Sequence, residues 1–237
     1  MELIKDKWDE KTYKEFTEFL LQNKKPGLAE FAGKLIFTKY KIIGVATPVM
    51  TKIIKDVVKG DIDGFIKHSK TDFYEQVGTM GQVVVTAKMD IETRKKYLLQ
   101  YIDLIDNWAL NDGAACAFKI LHKQQAEYYA FLKDLLEGGT YSIRFALCCF
   151  MNYYLTDEYI DDVLRFTNEV TNKEYYVMMM QAWLVATAFV KQREKTLAFI
   201  KNNNLAKTTQ NKAIQKIRES NRVTKEDKEM LVAFKKK

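Results

Sequence analysis

The chain has 237 residues, 47% hydrophobic and 29% charged, so it can bury a core and is not disordered by composition. Two prolines and ten glycines are too few for the turns of an all-β or doubly wound fold, three cysteines cannot make a disulfide framework, and two histidines argue against a histidine-based metal site. The formal charge of +7 is uneven: residues 191–237 hold 14 basic and 5 acidic residues, and residues 1–190 hold 24 and 26. A basic end of this kind attracts phosphates at long range or simply keeps a protein soluble, and charge alone leaves both open.

The N-terminus mixes acids and bases and lacks the apolar run of a signal peptide, which points to a cytoplasmic protein. Residues 8–22 place Trp8, Tyr13, Phe16, Phe19 and Leu20 at three- and four-residue steps, which predicts an amphipathic helix. Lys24-Lys25-Pro26-Gly27 breaks it, and a second helix is expected over Leu28–Phe37. Thr47-Pro48 reads as an N-cap followed by proline at the first helical position, opening a helix to about Lys59 that Gly60-Asp61 ends. The most apolar stretch, Tyr175 to Val190, is shorter than the roughly 20 residues that span a bilayer and reads as a buried helix, so no membrane partner is expected.

From residue 71 the pattern repeats. Starts of helix pairs are expected near Thr71, Asn107, Thr140, Lys173 and Thr209, at spacings of 36, 33, 33 and 36 residues. Thr156 and Thr224, each followed by acidic residues, suit helix starts. A period in the thirties built of helix pairs is the mark of an α-solenoid, an all-α superhelix of antiparallel pairs. The expected organisation is a single domain over 1–237: N-terminal helices over 1–70, then about five repeats over 71–237 with a basic C-terminal cap. A non-repetitive helical bundle is the alternative. Solenoids present long concave surfaces and usually bind, so chemistry has to be argued from a site.

No phosphate-binding glycine loop, GxGxxG, HExxH or CxxC occurs. Cys148-Cys149 lies in the apolar run Phe145–Met151, and Cys116 sits among Ala114, Ala115 and Ala117; all three read as small packing residues. His68 and His122, flanked by lysines, read as surface residues without a role.

Several segments, in order, resemble one family. GVATPVMTKIIK (44–55), YIDLIDNW (101–108), YSIRFAL (141–147), EYYVMMMQAWL (174–184) and KNNNLAKTTQNKAIQKI (201–217) are similar to segments of the AlkD-like DNA alkylation repair proteins. The resemblance implies a HEAT-like repeat solenoid that binds double-stranded DNA and excises N3- and N7-alkylated purines, acting as a monomer with no cofactor. On it, Asp106 matches the last Asp of a Trp-Asp-x-Val-Asp segment, the catalytic carboxylate. Trp183 matches a tryptophan of the DNA-facing cleft, and Arg144 an arginine on the DNA backbone near the lesion. Three positions depart from the pattern: Ile102 replaces the first Trp of the segment, Ala186 replaces an Arg after the cleft Trp, and Ala46 replaces an Arg of the N-terminal motif. Trp108, two residues after Asp106 but on a different side of a helix, is the candidate to stand in partly for the missing aromatic.

The implied chemistry is simple. An alkylpurine that already carries positive charge leaves readily, so the demand falls on the sugar, where a carboxylate stabilises oxocarbenium-like charge or orients a water. An indole face holds a cation, and an arginine holds a phosphate. Each residue also has an ordinary reading: Asp106 as a helix cap before Asn107-Trp108, Trp183 as a core residue, Arg144 as the partner of a carboxylate. At the basic end, Lys212, Lys216 and Arg218 lie near one helix face and are candidates for phosphate binding, or form a solvated cap on the last repeat, with Lys235-Lys236-Lys237 as a frayed tail. The alternative function is a non-catalytic HEAT-like scaffold that binds nucleic acid or protein.

Overall fold

The computed structural model describes residues 3–237. These form fourteen α-helices and no β-strand, in two compact units, Met1–Ile120 and Leu121–Lys237. The division falls inside the helix pair expected from Asn107.

In the first unit, α1 (Glu10–Gln22) starts at a capping box: Asp9 accepts from the Thr12 amide at 2.9 Å, and the Thr12 hydroxyl accepts from the Asp9 amide at 2.8 Å. Its buried residues, Tyr13, Phe16 and Leu20, keep the expected spacing. Tyr13 and Phe16 pack with Trp8 and Phe65 in a largely edge-to-face cluster with centroids 5.1–6.5 Å apart. The second helix is shorter than its pattern suggests: α2 spans Leu28–Gly33, because the chain beyond it turns to bring Thr38 and Lys39 to Asp106. Helix α3 (Thr47–Val57) has Pro48 in its first turn, but its N-cap is Ala46, and Thr47 is already helical. Asp61 caps α4 (Ile62–His68) through the Gly64 amide at 3.0 Å.

Helix α5 (Tyr74–Thr86) is the centre of this unit, with nine buried residues. Packed on it are α3, α4, α6 (Ile91–Ile102) and α7 (Trp108–Ala117). Helix α7 begins where expected, with Asn107 accepting from the Ala109 and Leu110 amides at 3.0 and 3.1 Å. Gly81 lets α5 approach Tyr101, since a Cβ there would sit 2.1 Å from the ring.

In the second unit α8 (Gln125–Asp134), α9 (Thr140–Tyr153), α10 (Ile160–Glu169), α11 (Tyr175–Lys191), α12 (Arg193–Lys201), α13 (Lys207–Glu219) and α14 (Lys225–Met230) follow in order. Helix α9 packs on α11 and α11 on α13, while α10 packs on α11 and α12. Helices α5, α7, α9, α11 and α13 begin within three residues of the five expected positions. Thr224 caps α14 through the Asp227 amide at 3.2 Å. Thr156 does not start a helix: it opens a turn whose carbonyl accepts from Tyr159 and Ile160, and α10 begins four residues on.

Two further expectations need correction. Cys148 and Cys149 are buried, but Cys116 is exposed, because Ala114 and Ala115 take the inner face of α7 and the next residue rotates outward. The C-terminal lysines are not frayed: Lys236 is bonded through backbone and side chain to Asn203, Leu205 and Asn211. Among the described residues no helix is long and apolar enough to cross a membrane.

Candidate nucleic-acid-binding site

The candidate residues divide between the two units. In the first, Asp106 lies in the bend between α6 and α7. Its Oδ2 accepts from the Thr38 hydroxyl at 2.8 Å and the Lys39 amide at 2.7 Å. Its Oδ1 accepts from the Asn107 side chain at 2.7 Å and, more distantly, from Thr38 at 3.0 Å. The carboxylate therefore holds the segment after α2 against the start of α7. It is not the cap itself; Asn107 is. Asp106, Thr38, Lys39 and Tyr40 line an open hollow of about 870 Å³. Burial, chiefly, raises the Tyr40 phenol, and the Asp106 charge adds to it. Burial together with the charges of Glu75 and Asp106 pushes Tyr74 to about 12.

Trp108 is the first residue of α7 and 36% exposed. Its indole N–H donates to the Leu35 carbonyl at 3.2 Å. It lines a different, mostly apolar cavity of about 460 Å³, with Leu28, Phe31, Met50 and Tyr101 among its walls. Asp106 and Trp108 are near neighbours in the chain, yet they serve different hollows. One helical turn after Trp108 stands Asp112, half-buried, accepting from the Asn111 side chain at 3.0 Å. Residues four apart lie on one side of a helix, and Asp112 is not among the residues that line the cavity beside Trp108. In the sequence Asp112 is marked only as an acid four residues after an aromatic inside one helix. Ile102 is buried on α6, and Ala46 caps α3, so neither position faces a cleft as a functional group.

In the second unit Arg144, on α9, is 2% exposed. Its guanidinium donates to the Tyr176 carbonyl at 2.6 Å. It lies 5.8 Å from the Tyr176 ring and 5.9 Å from that of Trp183. Trp183 is not a core residue: it is 37% exposed on a helix whose Val177, Met180, Leu184 and Val185 are buried. Tyr176, Met179 and Trp183 follow one another at helical spacing and stay partly open, making a stripe of two aromatic rings and a thioether with a guanidinium beside it. Tyr176 was missed because its neighbours on both sides are aromatic or apolar. Ala186 packs against the core that α11 and α13 share.

On α13 the three cations part company. Lys216 is paired with Glu219 at 2.9 Å. Lys212 and Arg218 instead line a hollow of about 590 Å³ together with Lys228 and Lys235.

Compared with models of protein families and with curated proteins, the chain matches none.

Proposed function

We propose that this chain is an AlkD-like DNA alkylation repair protein, a HEAT-like helical solenoid that binds double-stranded DNA and hydrolyses the N-glycosidic bond of N3- and N7-alkylated purines. The observation that carries the reading is the Arg144–Trp183 pair. A buried guanidinium, donating to the Tyr176 carbonyl and closed to a phosphate, braces an indole that is left open on an otherwise apolar helix, and an open indole face suits a cationic nucleotide. Successive packing of α9, α11 and α13 supports the repeat architecture.

The chemistry needs one carboxylate near the sugar. Water attacks the anomeric carbon, the bond to the purine nitrogen breaks with its electron pair leaving on the base, and the carboxylate stabilises the positive charge and takes the water's proton. Two acids flank Trp108. Asp106 is committed to Thr38, Lys39 and Asn107. Asp112 stands one turn beyond the indole. A Trp-Asp-x-Val-Asp segment spaces its tryptophan and final aspartate four residues apart, which is the spacing of Trp108 and Asp112. In this reading Asp112 takes the sugar-facing role, and Asp106 clasps the loop.

The test is base release from duplex DNA carrying 7-methylguanine or 3-methyladenine. Asp112→Asn should slow release by roughly 100-fold or more, the scale of losing one preorganised electrostatic group. Asp106→Asn should retain most of it, because an amide oxygen still accepts from Thr38 or Lys39. The reverse order would return the role to Asp106. No release by the unaltered protein would remove the enzyme and leave the second reading, a non-catalytic scaffold. That reading is favoured by Ala186, a core-packing residue where the family carries an arginine.

A further inference from the structure

We propose that the C-terminal residues 231–237 form a strap that completes a phosphate-holding hollow on the second unit, where Lys212, Arg218, Lys228 and Lys235 grip the backbone of a nucleic acid. This deepens the DNA-binding half of the reading above and is independent of base release.

The strap is tied at successive points. Leu231 is fully buried. The Gln210 side chain donates to the Phe234 carbonyl at 2.7 Å. The Asn211 amide clasps Lys236 in both directions, donating to its carbonyl at 3.0 Å and accepting from its N–H at 2.9 Å. The Lys236 ammonium then donates to the Leu205 carbonyl at 2.6 Å and to the carbonyl and side-chain oxygens of Asn203 at 3.1 and 3.2 Å. An ammonium has three protons, so Lys236 is used up as an anchor. Lys235, its neighbour, is the one delivered to the hollow, and Asn211 lines that hollow as well as fixing the strap.

Among the described residues Lys212, Arg218, Lys228 and Lys235 make no ion pair, although Lys212 lies near enough to Glu219 to help hold its pKa down. Lys212 is bonded at 2.9 Å to Gln215, a neutral group. Glu219, the acid that lines the hollow, is drawn to Lys216 and Gln215 at 2.9 and 2.8 Å, and Lys216 holds its pKa below the usual carboxylate range. Four cations around one concavity repel one another, and an anion placed there relieves that repulsion.

Phosphate chemistry alone does not separate a nucleic acid from a lipid headgroup or a phosphopeptide. Helix α11 favours the first. Met178 lines the hollow, and one turn before it Tyr175 is 62% exposed, with Tyr176 edge-to-face against it at a centroid distance of 5.6 Å. An exposed tyrosine beside a row of cations suits the sugar-phosphate backbone of a nucleic acid, which tyrosine hydroxyls contact as lysines and arginines do.

The experiment is anisotropy titration of labelled duplex DNA across a salt series. Each phosphate contact contributes about 0.9 to the slope of log affinity against log salt. Lys228→Gln should make the slope shallower by about 1. Asn211→Ala should do the same with no change of charge, because it frees the strap and withdraws Lys235. A chain ending at Phe234 should match Asn211→Ala, and it decides the matter if Asn211→Ala melts early. Lys195→Gln, paired with Asp161 outside the hollow, should leave the slope unchanged. DNA binding with a slope indifferent to Lys228, Asn211 and the tail overturns the hollow while DNA binding stands. No DNA binding by the full chain overturns both, as does tighter, hollow-dependent binding to phosphatidylserine vesicles or a phosphoserine peptide.

Discussion

Glu75 offers the sharpest test of how the first unit is held together. It is 5% exposed, on α5, and its carboxylate accepts from three consecutive amides, Ile43 at 3.0 Å, Gly44 at 2.7 Å and Val45 at 3.3 Å. All three donors are buried. Gly44 has φ of 87° and passes so close to α2 that a Cβ would lie 2.7 Å from the Ala29 nitrogen, so the loop cannot turn its amides elsewhere. Glu75→Ala orphans three buried N–H groups at roughly 1–3 kcal/mol each, and water entering the vacated space recovers part of that. The expected loss is about 3–5 kcal/mol, a large share of the roughly 5–15 kcal/mol by which domains are stable. Glu75→Gln, which keeps one accepting oxygen but opposes an amide N–H₂ to the backbone donors, should fall between the two. Urea unfolding followed by circular dichroism measures this; for a slope of about 2–3 kcal/mol/M the midpoint should fall by about 1–2 M. A loss under about 1 kcal/mol in Glu75→Ala, at unchanged slope, would refute the reasoning.

Three further outcomes follow from the packing and charges. Gly81→Ala should destabilise by about 1–3 kcal/mol by thermal melting, because its Cβ would overlap the Tyr101 ring and break the bond from that hydroxyl to the Leu110 carbonyl. Under native conditions a thiol reagent should label one cysteine, Cys116, at once and all three after denaturation, since Cys148 and Cys149 are enclosed. Arg193 holds the Asp227 carboxyl below its ordinary value through a bond of 2.8 Å. A depressed folded pKa stabilises above the unfolded value near 3.8 and is lost as pH falls through the folded one. Asp227→Asn should therefore narrow the difference in urea midpoint between pH 6 and pH 3.

What the sequence discloses about this molecule is local. The starts of α7 and α9 are legible at Asn107 and Thr140 because caps and helical periodicity act over a few residues. The end of α2 is not, since it is decided by Asp106, some 70 residues away, drawing Thr38 and Lys39 toward it. The same holds for the C-terminus. A run of three lysines reads as a solvated tail until Asn203 and Asn211 are seen to bind it. Cys116 was misread within a single turn, where one residue's rotation separates an inner alanine from an outer thiol. In the candidate site, Arg144 and Trp183 were visible as types, but their contact depends on how α9 packs on α11, and no spacing within either helix reveals it.

Charge and chemistry occupy different ground in this chain. The basic excess lies in residues 191–237, and the structure divides even that: Lys216, Lys236, Arg193 and Lys195 are spent on protein partners, while Lys212, Arg218, Lys228 and Lys235 gather at one hollow. Asp112 and Trp108 belong to a nearly neutral stretch, where a carboxylate has few cations on its own helix to compete for it. Four cations around one hollow attract anions at a range that salt shortens. On the proposed function, the Asp112 carboxylate would disfavour phosphates and favour a sugar that is becoming positive. The +9 end and the candidate chemistry therefore lie in separate stretches of the chain, since residues 191–237 contain none of Trp108, Asp112 and Trp183.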